Sequence, residues 1–350
     1  MGVILDESEL PSVSFLAFYK TFEYVCFGVS VVMVFGTMGI MVLSSPKSLS
    51  KYRWYLIHEM IWSLIFDWFG TFIGAIPLYP APCYYGENLT KHLNGDYQKA
   101  YFFGGITAVA GKICSIVFQF EHRFYQTQST SSAYRIFCTS IQGKGEVIVR
   151  AGVTLVIVLA ATLPFFVMFP DQSKARSELS ALDPLMSKIF QEHPNTLCFS
   201  SYTNTFEVLI IASGLIVGVM IFSVVLIILM YISIRRNRFS SNTYRLQMML
   251  FWSLVAQTTI FLTFMGIPGL IFSVAPLIGI RNLPRYCAYG FLFLLTHTPL
   301  DCVMILYFIK PYRIVLVRWL PSSLRTISHR ASTSTNHTNN GAVKPILHRF

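Results

Sequence analysis

Seven separate apolar runs, each long enough to cross a lipid bilayer as a helix, limit what this chain can fold into. The runs cover residues 22–43, 54–79, 101–120, 147–169, 206–234, 246–275 and 286–309. A helix needs about 20 residues to cross the hydrocarbon core. Only 12% of the 350 residues are charged, against about 25% in an ordinary soluble domain. The sequence therefore predicts an all-α membrane protein whose residues 22–309 form a seven-transmembrane helix bundle.

The distribution of positive charge predicts which side of the membrane each end of the chain occupies. With the N-terminal residues 1–21 outside, 18 of the 27 Lys and Arg residues fall in inner segments and 8 in outer segments. Cytoplasmic loops retain positive charge, so this bias favours an extracellular N-terminus and a cytoplasmic C-terminus. A basic inner surface that faces anionic membrane lipid accounts for the net charge of +11 without a nucleic acid partner.

The predicted outer loops contain a glycosylation motif and three cysteines. Asn88 begins the sequence Asn-Leu-Thr in the first outer loop, so a glycoprotein modified at Asn88 is expected. Cys83, Cys198 and Cys287 lie on the outer side, where disulfides persist. Cys198 stands near the end of the long second outer loop, and Cys83 is its favoured partner. Three cysteines for one bridge leave the pairing open.

The third apolar run ends in the adjacent residues Glu121, His122 and Arg123 at the predicted inner face. Rhodopsin-like receptors carry an acidic residue, a variable residue and Arg at this place. An acid beside the Arg can hold it in a resting state, and the long guanidinium can reach neighbouring helices after release. The alternative is an ordinary interfacial Arg whose side chain extends to the headgroups.

Four stretches together resemble the nematode seven-transmembrane chemosensory serpentine receptors of class H or class I. They are KYRWYLIHEMIWSLIFD at 51–67, EHRFY at 121–125, FPDQSKAR at 169–176 and HTPLDCVMILYFIKPYR at 297–313. The resemblance implies a plasma-membrane receptor of sensory cilia that binds a small-molecule chemical cue and signals through a heterotrimeric G protein. The chain departs from rhodopsin-like receptors in two respects: Thr298-Pro299-Leu300-Asp301 replaces NPxxY, and the third run lacks an outer Cys.

Asp67, Lys112 and Asp301 lie deep within the apolar runs, where an ionisable group is costly and marks a functional site. Counted at about 1.5 Å per residue from the inner ends of their runs, Asp67, Lys112 and Asp301 all lie near the bilayer midplane. We expect the Lys112 ammonium to bridge the two carboxylates in the place of a bound sodium ion. The alternative is a structural polar cluster without a switching role.

A ligand cavity is predicted among the outer halves of the third, fifth, sixth and seventh helices. Its candidate residues are Tyr101, Phe102, Thr107, Glu207, Phe264, Phe293 and His297. Small-molecule pockets are mainly apolar with a few polar groups, although aromatic residues at such positions also serve in helix packing. The chain has no HExxH, CxxC or Gly-rich phosphate motif, which argues against an enzyme, a metal site or a cofactor. A multi-span transporter of a small solute is the alternative, but no internal repeat supports it.

The inner segments after the fifth and seventh runs are rich in basic residues. Residues 235–245 contain four Arg and no acid, which suits attraction to membrane lipid or contact with a G protein. Residues 310–320 mix basic and apolar side chains and predict a short interfacial helix. Residues 321–350 predict a disordered cytoplasmic tail. Its candidate phosphorylation sites are Ser332, Thr333, Ser334 and Thr335, and its Asn336 sequon is expected to stay unmodified.

Overall fold

The computed structural model describes residues 7–46, 49–93, 95–129, 131–141, 143–201, 204–237, 240–280 and 282–319. The helices are α1 Val13–Ser44, α2 Tyr52–Ile73, α3 Gly95–Thr127, α4 Ala133–Ser140, α5 Lys144–Val167, α6 Gln172–Leu182, α7 Pro184–Glu192, α8 Thr205–Arg236, α9 Ser241–Phe261, α10 Ile267–Ile278, α11 Leu283–Leu295, α12 His297–Phe308 and α13 Lys310–Trp319. A π-helical turn, Leu262–Gly266, joins α9 to α10.

Seven helical segments of the described residues are long and apolar enough to cross a membrane, which confirms the predicted bundle. The first three spans are α1, α2 and α3, and the fourth and fifth are α5 and α8. The sixth span consists of α9, the π turn and α10, and the seventh of α11 and α12. The short helices α4, α6 and α7 lie in the connections, and α13 follows the seventh span. The end of the bundle near α6 and α7 is called the outer end here.

A small β-sheet at the outer end of the described residues departs from the all-α prediction. Its antiparallel strands are β1 Ala75–Pro77, β2 Cys83–Gly86 and β3 Leu197–Cys198. The second apolar run was predicted to continue to residue 79, but α2 ends at Gly74, which adopts a left-handed conformation with φ of 55°. Glycine adopts such a conformation without steric penalty, so it ends a helix readily.

The sheet places Cys83 directly opposite Cys198, and a disulfide joins them. The bridge ties the second outer loop to the first across a sequence separation of 115 residues. Cys287, the third candidate, is a free and fully buried thiol in α11. The structure therefore selects one of the pairings that the sequence left open.

The predicted glycosylation of Asn88 is contradicted by the position of its side chain. Asn88 is only 3% exposed, and its Nδ2 atom donates hydrogen bonds to Glu23 Oε2 at 2.5 Å and to the Thr71 carbonyl oxygen at 2.6 Å. A glycan is attached at this nitrogen, so the folded outer loop has no room for one. A sequon reports only a local sequence pattern, whereas the burial arises from the packing of the loop against α1 and α2.

The second and third spans approach each other closely because two glycines of α3 face aromatic rings of α2. A Cβ atom added to Gly104 would lie 2.4 Å from the Phe69 ring, and one added to Gly111 would lie 2.3 Å from the Trp62 ring. Real Cβ atoms essentially never come so close to another heavy atom. The two small residues thereby allow the buried polar side chains of α2 and α3 to meet.

The inner end is closed by α13, which begins where residues 310–320 predict an interfacial helix. Tyr312 is fully buried, and its hydroxyl lies 2.7 Å from Ser45 Oγ at the end of α1. Residues 320–350 lie outside the described residues. The predicted tail, its Asn336 sequon and the candidate phosphorylation sites at 332–335 fall in that range.

Candidate functional site

A largely apolar cavity of about 290 Å³ lies at the outer end of the bundle. Side chains from α1, α2, α3, α10 and α11 enclose it together with residues of the outer sheet. Nine of the lining residues are aromatic, and the one carboxylate among them is Glu23 of α1. Its volume lies near the lower limit of about 300 Å³ for small-molecule pockets, so the cavity suits a compact molecule.

Two of the seven predicted ligand-binding residues, Tyr101 and Phe102, line this cavity. Tyr101 packs edge-on against Phe69, and Phe102 lies between the rings of Tyr84 and Phe199. The remaining five predicted residues, Thr107, Glu207, Phe264, Phe293 and His297, are not among those that line it.

The positions of these five residues explain why they do not line the cavity. Glu207 is exposed near the start of α8. Phe264 and Phe293 stack on each other with ring centroids 4.1 Å apart, so they pack the sixth span against the seventh. Thr107 is half-buried, and His297 is fully buried below the cavity floor. Depth along a helix was predicted from the sequence, but the direction of each side chain depends on helix rotation within the bundle.

His297 and Asp67 form a buried pair beneath the cavity. The distance from His297 Nδ1 to Asp67 Oδ1 is 3.7 Å, and both side chains are at most 1% exposed. The His297 ring also meets Phe66, a cavity-lining residue, edge-on at 5.7 Å. His297 Nδ1 lies 2.9 Å from the Leu294 carbonyl oxygen. This pair therefore stands directly between the cavity and the interior of the bundle.

Lys112 lies one layer further in and bridges two carboxylates, but only one of them is a predicted partner. Its Nζ atom is 2.5 Å from Asp301 Oδ2 and 3.9 Å from Glu59 Oε1. Lys112 is fully buried, Asp301 is 2% exposed and Glu59 is 1% exposed. The cluster thus joins α2, α3 and α12 with two acids and one base.

The predicted bridge from Lys112 to Asp67 is wrong, because Glu59 takes that place. Glu59 lies seven residues from the inner end of α2, and Asp301 lies seven residues from the inner end of α12. Asp67 is eight residues further along α2, which is about 12 Å at the helical rise. The rule that selected Asp67, an ionisable group within an apolar run, applies equally to Glu59.

Two glutamines and a tyrosine, which the sequence analysis did not single out, extend this cluster toward the inner end. Gln257 of α9 and Gln119 of α3 donate to Glu59 Oε2 at 2.6 Å and 3.2 Å. The Tyr52 hydroxyl donates to Gln119 Oε1 at 3.0 Å. All are buried. A polar side chain within an apolar span is a sequence signal for a buried polar contact. The chain has many such side chains, however, and the sequence does not show which of them meet.

Arg123 is held by an aromatic ring and an amide, and the predicted pairing with Glu121 is absent. Its guanidinium carbon lies 3.5 Å from the centre of the Tyr52 ring, and Nη1 donates to Gln126 Oε1 at 2.8 Å. Arg123 is only 2% exposed. Its Nε and Nη2 atoms have no hydrogen-bond partner among the described residues. The guanidinium is therefore buried with unused donors.

Glu121 points to a different side of α3 from Arg123, because residues two positions apart in a helix do not face each other. Its Oε2 atom accepts from Arg150 Nη2 of α5 at 2.6 Å, and its Oε1 accepts from the Tyr134 hydroxyl of α4 at 2.9 Å. His122 stands between them in sequence and packs against the rings of Tyr52 and Tyr55 of α2. The triplet thus connects α3 to three neighbouring helices and contains no internal ion pair.

A histidine of the second outer loop forms a contact that responds to pH. His193, after α7, stacks on Tyr85 of β2 with ring centroids 4.0 Å apart, and its Nδ1 is 3.9 Å from Glu87 Oε1. Burial holds the pKa of His193 below its ordinary value of 6.5, although the nearby Glu87 acts in the opposite direction. Among the described residues, no group of three or more His, Cys, Asp or Glu side chains is placed to hold a metal ion.

Comparison with known proteins gives one family match. Residues 16–322 match the family model described as serpentine type 7TM GPCR chemoreceptor Srh. No curated protein matches the chain. The family match covers all seven spans and confirms the resemblance to serpentine chemosensory receptors that the sequence motifs carry.

Proposed function

Because the chain belongs to the Srh family of serpentine 7TM GPCR chemoreceptors, we propose that it binds a small chemical cue in the outer cavity and signals to a heterotrimeric G protein at its inner end. The seven spans make it a multi-pass membrane protein. We place it in the plasma membrane of a sensory cilium, where a cue reaches the outer end. The family is one of receptors and not of enzymes.

The outer cavity is the observation that carries this proposal. It opens among helices that also hold the buried polar residues of the bundle, and its lining combines aromatic rings with one carboxylate. Small-molecule sites have this composition, an apolar wall with few polar groups that fix orientation. Of the residues predicted to contact the ligand, Tyr101 and Phe102 line this cavity.

Gly105 offers a direct test of the site because it lines the cavity and faces open space. A Cβ atom added there would meet nothing within 4 Å, and Gly105 lines the cavity, so Gly105→Leu places added volume at the cavity wall. Overpacking of a binding site costs about 1–3 kcal/mol, and we expect cue potency to fall about tenfold or more. Receptor delivery to the cell surface should stay normal.

Gly152→Leu is the matched control. Gly152 also has nothing within 4 Å of an added Cβ atom, but it lies on the exposed face of α5, away from the cavity. The same substitution there should leave potency unchanged. Equal potency of the Gly105→Leu and parent receptors at equal surface levels would place the cue elsewhere.

Two sets of buried contacts, joined along α12, support the coupling between the cavity and the inner end. Phe66 of the cavity meets His297, which faces Asp67. One turn further along α12, Asp301 contacts Lys112. From there Glu59, Gln119 and Tyr52 lead to Arg123. We infer that a cue that shifts α2 or α11 changes these contacts and frees Arg123, whose unused donors then suit carbonyl groups of a G protein.

Removal of one hydroxyl tests this coupling. Tyr52→Phe keeps the ring under Arg123 and deletes the hydrogen bond to Gln119. Tyr55→Phe is its control, because it deletes a hydroxyl of the same helix that donates to Glu146 on another side. We expect Tyr52→Phe to change the basal or cue-evoked G-protein response and Tyr55→Phe to change it less. Identical responses of the two variants would contradict the proposed route.

Functional expression with a panel of volatile and soluble compounds decides between a receptor and a transporter. Second messengers and solute uptake are recorded together, in cells with and without the G protein. A compound that evokes a G-protein-dependent response supports the receptor. Uptake that does not depend on a G protein would favour the transporter of a small solute.

A further inference from the structure

We propose that the outer cavity selects a compact organic amine and that Glu23 is the residue that pairs with its ammonium group. This inference rests on the proposed ligand cavity and adds the chemical class of the ligand. The sequence motifs do not include Glu23, and none of the contacts that couple the cavity to the inner end uses it.

Glu23 is a buried acid without a cationic partner. It is 1% exposed near the outer end of α1, and it lines the cavity. Its carboxylate accepts a hydrogen bond from Asn88 Nδ2 at 2.5 Å, and the Tyr19 hydroxyl lies beside it. Both neighbours are uncharged. No Lys, Arg or His of the described residues forms an ion pair with Glu23, which distinguishes it from Glu59 and Asp301.

The remaining wall of the cavity suits the same kind of ligand. None of the described residues that line it is Lys, Arg or His, so an anionic ligand would find no counter-charge. Rings such as those of Phe69, Tyr101, Phe272 and Phe291 present faces that attract a cation. A buried carboxylate that is surrounded by aromatic rings therefore favours a positively charged molecule over a neutral or negative one.

Asn88 and Tyr19 are buried beside the Glu23 carboxylate and fix its position. Asn88 Nδ2 also donates to the Thr71 carbonyl oxygen of α2, and the Tyr19 hydroxyl donates to the Ala75 carbonyl oxygen of β1. Glu23 is thereby connected to the second span and to the outer sheet. An ammonium that pairs with Glu23 would pull on elements that lead to the interior of the bundle.

Three matched probes test the charge preference on the purified receptor in detergent. They are 2-phenylethylamine, 2-phenylethanol and phenylacetate, which share a phenyl ring and differ in charge. Affinity is measured by ligand-observed NMR and by the rise of the apparent melting temperature with probe concentration. A hydrogen bond to a charged group contributes about 1.5–3 kcal/mol, so the amine should bind about tenfold or more tightly than the alcohol. The phenylacetate anion should bind most weakly.

Glu23→Gln tests the assigned residue. The amide keeps the shape of the side chain and an oxygen that accepts from Asn88, and it removes the charge. We expect the preference for the amine over the alcohol to disappear while the alcohol affinity stays unchanged. Should Glu23→Gln fail to fold, Phe291→Leu replaces a cavity ring with an aliphatic side chain and should weaken the amine more than the alcohol.

The outcomes separate this inference from the proposed function. Equal affinities for amine and alcohol, a preference that survives Glu23→Gln, or no binding of the amine would each overturn the inference. If the alcohol binds and Gly105→Leu weakens it, the cavity stands as a ligand site without an amine preference. If no probe binds and Gly105→Leu does not change the response to an active compound, both proposals fail.

Discussion

Replacement of Lys112 by Met removes the one positive charge from a buried cluster with two carboxylates. Lys112 is fully buried, 2.5 Å from Asp301 and 3.9 Å from Glu59. Met is unbranched like Lys and has a similar helix propensity, so the change acts mainly on charge. Two acids then remain in the interior of the bundle without a base.

The distances set the size of the effect. At an effective dielectric constant of about 20, the two contacts correspond to attractions of about 7 and about 4 kcal/mol. Desolvation of the three groups and the repulsion between the acids offset most of this gain. Removal of one partner from a buried ionic cluster typically costs about 3–5 kcal/mol, and we expect a loss of that size.

The assay is the apparent melting temperature of the purified receptor, with and without sodium, for single, double and triple variants. The Lys112→Met protein should gain a stabilisation by sodium that the parent lacks, because the ion replaces the lost ammonium. The triple variant Glu59→Gln, Lys112→Met and Asp301→Asn should recover much of the stability, since no lone charge remains.

Asp67→Asn supplies the control, because Asp67 is a buried acid of the same helix as Glu59 but faces His297. The combination of Lys112→Met with Asp301→Asn should cost less than the sum of the single losses, with a coupling of about 1–3 kcal/mol. The combination with Asp67→Asn should show a smaller coupling. Additive losses at Lys112 and Asp301, or a larger coupling to Asp67 than to Asp301, would refute the arrangement.

Three further predictions concern the outer end. Simultaneous replacement of Cys83 and Cys198 by Ser should cost about 2–4 kcal/mol of stability, and peptide mapping without reductant should recover these two cysteines as one linked pair. The protein should migrate identically on a gel before and after treatment with a peptide N-glycosidase, because Asn88 is buried; a shift that Asn88→Gln abolishes would contradict this. The pKa of His193 lies below its ordinary value of 6.5, so the folded receptor binds the proton more weakly than the unfolded chain. Stability is then fully present above about pH 6.5 and falls with acidification; His193→Phe should flatten this decline, and an equal decline in both proteins would exclude the residue.

The buried acids show how far depth along a helix can be predicted and where the prediction fails. The apolar runs established that Lys112 and Asp301 lie deep in the bundle, because an ionisable group within a span almost always faces the bundle interior. They did not decide whether Glu59 or Asp67 would meet Lys112. That choice depends on how far α2 and α3 slide past each other, which the contacts of Gly104 and Gly111 with aromatic rings set.

Neighbouring residues in one motif show a second limit. Glu121 and Arg123 were expected to pair because they stand close in sequence, yet they project to different sides of α3. Arg150 and Tyr134 take the acid, and Tyr52 and Gln126 take the Arg. These partners come from three other helices and from a position one turn further along α3. A triplet pattern identifies the place of a switch, but the helices around it determine the contacts.

The number and the order of the spans follow from the sequence alone, which also predicts the direction in which the chain crosses the membrane. These properties follow from local quantities, the length of each apolar run and the charge between runs, which the bilayer imposes on each segment separately. The disulfide among three cysteines, the burial of Asn88 and the cavity around Glu23 emerge only when the helices pack together. Each of these depends on the rotation and spacing of helices that are distant in sequence, and close packing of the whole bundle fixes those at once.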